Sequence, residues 1–168
     1  MSTDPDGAPG EGGALGVGAP THDGAGTPAP YVPLRFLEVR LDLPSPHPLL
    51  VLEEADAPWR RLEVPIGMAE GVAIAYAARG LPTPRPLTHE LFVQLLELAG
   101  MTVETVRVVA VRGRSYSAEL VVSGPTGAHT VACRLSDGVA LALRQRVPAP
   151  MTAAPSVLEA AGLGGTAG

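Results

Sequence analysis

The sequence has a single cysteine, Cys133, and this scarcity excludes two kinds of structural element. An internal disulfide needs two thiols, and a cysteine-based metal site needs several thiolates. The remaining expectation for Cys133 is a small apolar residue in a buried strand. His47 and His129 lie in or beside turn-rich segments without the H-x-x-x-H type of spacing, so a zinc site is not expected either.

Long hydrophobic runs are also missing. No apolar stretch approaches the roughly 20 residues that a membrane-spanning helix requires. The N-terminus shows no basic region followed by an apolar segment, the pattern of a secretory signal. We therefore expect no membrane partner and a cytoplasmic location.

Lysine and asparagine are absent, and all 12 basic residues are arginines. This bias indicates a GC-rich bacterial genome. The formal net charge is −5; the four acids of residues 1–30 account for −4 of it, so the rest of the chain carries −1. A nearly neutral domain has no general basic field, so any nucleic acid must be bound through a local arginine cluster.

The chain divides by composition into three parts. Residues 1–30 contain 8 glycines and 5 prolines. Such a segment cannot bury enough apolar surface to offset the entropy lost on ordering, so we predict a disordered tail. Residues 31–162 have the alternating and helical patterns of one folded domain. Residues 163–168 are predicted to be a disordered C-terminus.

Within the domain, two segments repeat each other. "AEGVAIAYAAR" at residues 69–79 matches "SDGVALALRQR" at residues 136–146. Three strands are predicted before each repeated segment. A separate helix is predicted between the first repeat and the strands that precede the second. The predicted strands are 34–43, 49–54, 60–66, 105–112, 115–123 and 128–135, and the predicted helices are 68–79, 89–99, 136–146 and 156–162.

This pattern predicts an α+β fold. Two strand-strand-strand-helix units form an antiparallel or mixed sheet packed with helices, and a central helix lies between them. The very apolar repeated helices are expected to be buried, with Gly71 and Gly138 allowing close approach to the sheet. A short "VPAPM" strand is expected before the last helix, where Ser156 and Glu159 have capping-box spacing.

Glu70 and Asp137 occupy equivalent places in the first turns of the repeated helices. One interpretation is that each acid only compensates the helix dipole. The other is that the two acids approach each other in a catalytic site, where they hold Mg²⁺ or Mn²⁺ for phosphodiester hydrolysis. Sequence alone leaves both interpretations open.

A second candidate site lies at the start of the central helix. Arg85, held between two prolines, and Thr88 at the helix N-terminus form a possible phosphate site. His89 is a candidate for proton transfer. The alternative is structural: Thr88 caps the helix, Glu90 balances its dipole and His89 only packs.

Arg134 lies near the end of the predicted strand 128–135, two residues before the second repeated helix begins at Ser136. It is expected to pair with Asp137 or Glu70, or to bind a substrate phosphate. Ser136 is predicted to cap the helix and not to act as a nucleophile, because the G-x-S-x-G pattern is absent around it.

Three separated motifs resemble the bifunctional nuclease domain family. Its members typically have R-P-x-T-H-D-L, which corresponds to "RPLTHEL" from residue 85, and R-P-S-D-A-I-A-L-A-L-R, which corresponds to "RLSDGVALALR" from residue 134. An earlier L-P-I-x-I-G and E-A-x-A-I-A correspond to residues 62–67 and 70–75. Leu135, Gly138, Pro65 and Glu90 depart from the family pattern, but none of these changes removes an acid.

The resemblance implies hydrolysis of both DNA and RNA. It assigns no catalytic residues, so the site residues above rest on this sequence alone. The alternative is a non-catalytic interaction or regulatory module of the same fold, and the strongly apolar composition also suits a homo-oligomer.

Overall fold

The computed structural model describes residues 30–164, and these form seven strands and four helices. The predictions for residues 1–29 and 165–168 lie outside the described residues. The strands are β1 (Val32–Arg40), β2 (Leu49–Glu54), β3 (Arg61–Pro65), β4 (Thr102–Arg112), β5 (Ser115–Gly124), β6 (Gly127–Arg134) and β7 (Met151–Ala153). The helices are α1 (Met68–Ala78), α2 (Thr88–Leu98), α3 (Leu135–Leu143) and α4 (Pro155–Gly164).

All seven strands belong to one mixed sheet, in the order β3-β2-β1-β7-β4-β5-β6. β1–β2–β3 and β4–β5–β6 are each antiparallel, as short connections require. The short β7 joins them, since it pairs antiparallel with β1 and parallel with β4. The predicted α+β class is confirmed, whereas the duplication of the two units stays a prediction.

The core lies between the sheet and the helices. Its largest fully buried side chains come from β2, β3, β4 and three of the helices: Leu50, Leu52, Leu62, Ile74, Val106, Val108, Val139 and Leu158. α3 is buried on nearly every face, as its apolar sequence predicts. α1 differs, because Val72 and Tyr76 remain 44% and 39% exposed on its outer face.

The glycines of the repeated helices lie where a side chain would meet a neighbour. A Cβ at Gly138 would lie 3.0 Å from Val106 Cγ1, and one at Gly71 would lie 3.2 Å from Pro48 Cγ. The absence of Cβ therefore lets α3 pack tightly on β4, which agrees with the sequence-based expectation.

α1 begins at Met68 as predicted, and each of the other three helices begins one residue earlier than predicted. Ser136 is not the N-cap of α3: Arg134 is, and Ser136 is buried inside the first turn. Thr88 is the first residue of α2, whose N-cap is Leu87, because the Glu90 carboxylate already accepts the Leu87 N–H at 2.7 Å. Pro155 likewise precedes Ser156 as the first residue of α4, a position where its missing N–H costs nothing.

Within residues 30–164, none of the helices is long and apolar enough to cross a bilayer.

Candidate functional site

Three helices begin around one point of the molecule. Glu70, His89 and Asp137 lie in the first turns of α1, α2 and α3, and both α1 and α2 pack against α3. Arg134 joins them because β6 passes into α3 without a loop, which places the last strand residue three positions before Asp137. The four side chains form one hydrogen-bonded cluster.

Arg134 bridges the two acids. Its Nε and Nη2 donate to Asp137 Oδ2 and Oδ1 at 2.8 and 3.2 Å, and its Nη1 donates to Glu70 Oε1 at 2.9 Å. The Arg134 side chain is 69% exposed, whereas those of Glu70 and Asp137 are 19% and 27% exposed. The predicted convergence of the two acids is therefore present, with a guanidinium group between them.

His89 also contacts Asp137, and its Nε2 atom lies 3.1 Å from Asp137 Oδ1. Burial alone would raise the pKa of the Asp137 carboxyl, but the hydrogen bonds from Arg134 and His89 outweigh it and hold this pKa below its usual value. Asp137 is thus ionised at neutral pH and accepts a hydrogen bond from the imidazole Nε2–H. This fixes the orientation of the ring.

The cluster lines a cleft of about 920 Å³. The polar lining also includes Thr88 of α2, next to His89. The rest of the lining is mostly apolar, and its residues are Met68, Ala69, Val72, Ala73, Leu87, Phe92 and Leu141. A pocket of this size and mixed character is suited to a small molecule or one or two units of a polymer.

Of the six predicted site residues, Arg85 is the one outside this cleft. The other five, Glu70, Thr88, His89, Arg134 and Asp137, all line it, whereas Arg85 is exposed on the segment before α2. Its prediction as a phosphate ligand is not supported by proximity to the other site residues. Cys133 is also unsuited to nucleophilic catalysis, because burial raises the pKa of its thiol to about 11.

The residues present do not form a ready cation site. Among the described residues, no group of three or more histidine, cysteine or acidic side chains is arranged to hold a metal ion. Glu70 and Asp137 have suitable oxygens, but both oxygens of Asp137 and the Oε1 atom of Glu70 already accept hydrogen bonds from Arg134. Mg²⁺ or Mn²⁺ on this pair therefore stays a prediction.

Sequence reasoning missed a second ion pair that connects the site helices. Arg144, the C-cap of α3, pairs with Glu90 of α2 through its Nη1 atom, and both side chains are nearly buried. Glu90 Oε2 also accepts hydrogen bonds from the Leu87 N–H and the Thr83 hydroxyl. Glu90 lies within the motif "RPLTHEL" and Arg144 within "RLSDGVALALR". Their positions in these two motifs were the one feature of the sequence that could have indicated the pair.

Comparison with known proteins identifies the family of this chain. Residues 50–164 match the family model described as the bifunctional nuclease domain. The chain belongs to this family. Two relatives, uncharacterized proteins of Mycobacterium tuberculosis strains CDC 1551 / Oshkosh and ATCC 25618 / H37Rv, are each 36% identical over 130 residues, which cover 77% of this chain and 76% of theirs. The bifunctional nuclease domain thus includes the whole cleft, and the resemblance seen in the motifs is confirmed.

Proposed function

We propose that the cleft is the active site of a nuclease that hydrolyses phosphodiester bonds of DNA and RNA. The observation that carries this proposal is the chain of hydrogen bonds from His89 through Asp137 to Arg134 in the lining of a cleft. Membership of the bifunctional nuclease domain family supports the same reaction class.

In this proposal, His89 transfers the proton. Since the Asp137 carboxylate only accepts hydrogen bonds, the proton of the neutral imidazole lies on Nε2. Nδ1 is then the nitrogen that takes a proton from the attacking water, and the resulting imidazolium can return a proton to the leaving oxygen. Asp137 stabilises the positive charge that develops on His89 in this step.

Arg134 supplies the positive charge for the phosphate. The attack adds negative charge to the non-bridging oxygens of the phosphate, and a guanidinium group donates to two such oxygens at once. With 69% of its side chain exposed, Arg134 can turn from Asp137 toward a phosphate in the cleft. Glu70 then keeps the guanidinium oriented through its own hydrogen bond.

The test is cleavage of labelled single-stranded DNA and RNA by purified protein and by the Asp137→Asn variant. Asparagine keeps the size of the side chain but cannot stabilise an imidazolium, so we expect the rate to fall by about 10²–10⁴-fold. Parallel reactions with Mg²⁺, Mn²⁺ or EDTA test the predicted metal requirement. Equal cleavage by both proteins would mean that a contaminant is responsible, and it would refute the proposed site.

The second candidate is a non-catalytic interaction or regulatory module. It is favoured by the apolar side chains that α2 leaves on the surface, where Leu91, Leu95 and Leu98 are 49%, 54% and 85% exposed. A second copy of the chain is one partner that such a surface suits. Pure protein that cleaves neither substrate but associates with itself would support this function.

A further inference from the structure

The cleft is lined by two chemically different sets of residues, and the proposed mechanism uses only the charged set. In the apolar set, Phe92 of α2 and Met68 and Val72 of α1 are 46%, 52% and 44% exposed. Leu141 of α3 belongs to the same apolar lining. Large apolar side chains that remain exposed within a concave site indicate an apolar ligand surface.

Phe92 is placed to act together with the charged cluster. It follows His89 by three positions on α2, so the two side chains point from the same face of the helix into the same cleft. Phe92 is also the one aromatic residue of the lining. A planar apolar group next to an anionic group would interact favourably with both Phe92 and Arg134.

A nucleotide unit combines these two groups, because its planar base lies a few ångströms from its anionic phosphate. We propose that the apolar lining of the cleft holds one unpaired nucleobase stacked on the ring of Phe92, next to the phosphate bound by Arg134. This inference rests on the proposed nuclease function and adds its specificity: the substrate is single-stranded, or locally unpaired, DNA or RNA.

Charge also argues against a duplex as the preferred ligand. Affinity for duplex nucleic acid comes largely from many contacts between cations and phosphates. The lining of the cleft has one arginine against two acids, and the chain after residue 30 carries a net charge of −1. Base stacking, which needs no base identity and no pairing partner, is then the main source of affinity. A base inside a duplex would first have to leave its stack.

The experiment compares binding of a short labelled oligothymidylate, an abasic strand of the same length and a hairpin duplex. The proteins compared are the wild type and the variants Phe92→Ala, Phe92→Tyr and Leu95→Ala. Binding of each probe is measured by fluorescence anisotropy in the presence of EDTA. Leu95 is the matched control, because it lies on the same helix with similar exposure but outside the lining of the cleft. Circular dichroism checks that each variant is folded.

We expect Phe92→Ala to weaken binding of oligothymidylate by about tenfold and to leave binding of the abasic strand unchanged. Phe92→Tyr, which keeps the ring, and Leu95→Ala should bind as the wild type does. The duplex should bind more weakly than the single strand. These results would support the base site even if the wild type cleaved nothing, in which case only the proposed catalysis would fail.

Three outcomes would overturn the inference. The first is an affinity of Phe92→Ala for oligothymidylate equal to that of the wild type. The second is binding of the duplex as tightly as the single strand, and the third is failure of the wild type to bind any of the three probes. If the first outcome comes with a change in the sedimentation of Phe92→Ala, the apolar wall is a contact between proteins.

Discussion

Replacing Arg144 by methionine is expected to lower the free energy of unfolding by about 3 kcal/mol, because the nearly buried Glu90 carboxylate loses its counter-charge. Methionine fills much of the same volume, so the loss reports charge more than packing. For a domain of this size, the thermal midpoint should fall by about 10 °C. Thermal and urea unfolding, followed by circular dichroism, measure both quantities.

The control is the double variant Glu90→Gln, Arg144→Met. Removing both charges leaves no isolated ion, so the double variant should be more stable than Arg144→Met alone. Equal destabilisation of the two proteins would contradict the account, since it would show that the buried charge of Glu90 carries no cost.

The same pair predicts how stability depends on pH. Burial alone would raise the pKa of Glu90, but the hydrogen bonds from Thr83 and Leu87, together with the charge of Arg144, outweigh burial and lower it. The ionised carboxylate therefore stabilises the fold above its ordinary pKa, and this contribution is lost as the pH falls through the pKa of the folded state. Glu90→Gln should remove this part of the acid destabilisation.

Replacing Arg134 by alanine is expected to reduce nucleic-acid cleavage by about 10²–10³-fold and to leave the unfolding midpoint nearly unchanged. The rate should fall because Arg134 is the cation of the cluster that can reach a phosphate. Stability should be almost unaffected, because its side chain is largely exposed and its ion pairs are screened by solvent. Initial rates on labelled single-stranded DNA and RNA, together with thermal unfolding, separate the two effects.

Two further variants sharpen this test. Arg134→Lys should recover only part of the activity, since an ammonium group cannot donate in the two-pronged geometry of a guanidinium group. Arg79→Ala removes the same charge from the exposed C-terminal end of α1 and should retain full activity. An Arg134→Ala protein that cleaves at the wild-type rate would exclude this residue from the reaction.

The sequence predicted the elements that have a clear period and missed those that depend on distant contacts. Most strands and all four helices were found within a few residues, because alternation and apolar stripes are local signals. β4 begins at Thr102 and not at residue 105, since the irregular pairing between Val103 and Thr105 interrupts its alternation. The position of the three-residue β7 between β1 and β4 has no local signal, because it is set by pairing alone.

The same distinction applies to the site. The first-turn positions of Glu70, His89 and Asp137 could be predicted, because helix starts have local signatures. Their convergence depends on how α1 and α2 pack against α3, which no local pattern specifies. The Glu90–Arg144 pair spans 54 residues of chain and was missed for this reason. The predicted helix caps were wrong for a different reason. Ser136 and Thr88 have side chains of the type that caps helices, but both residues lie inside the first turn.

The most direct measurement of the central claim is a double-mutant cycle of His89→Gln and Asp137→Asn, with cleavage of a single-stranded substrate as the readout. If His89 transfers the proton and Asp137 acts through it, each single variant should lose about 10²–10⁴-fold in rate. The double variant should then be no slower than the slower single variant. Losses that multiply in the double variant, or a single variant with the wild-type rate, would contradict the account.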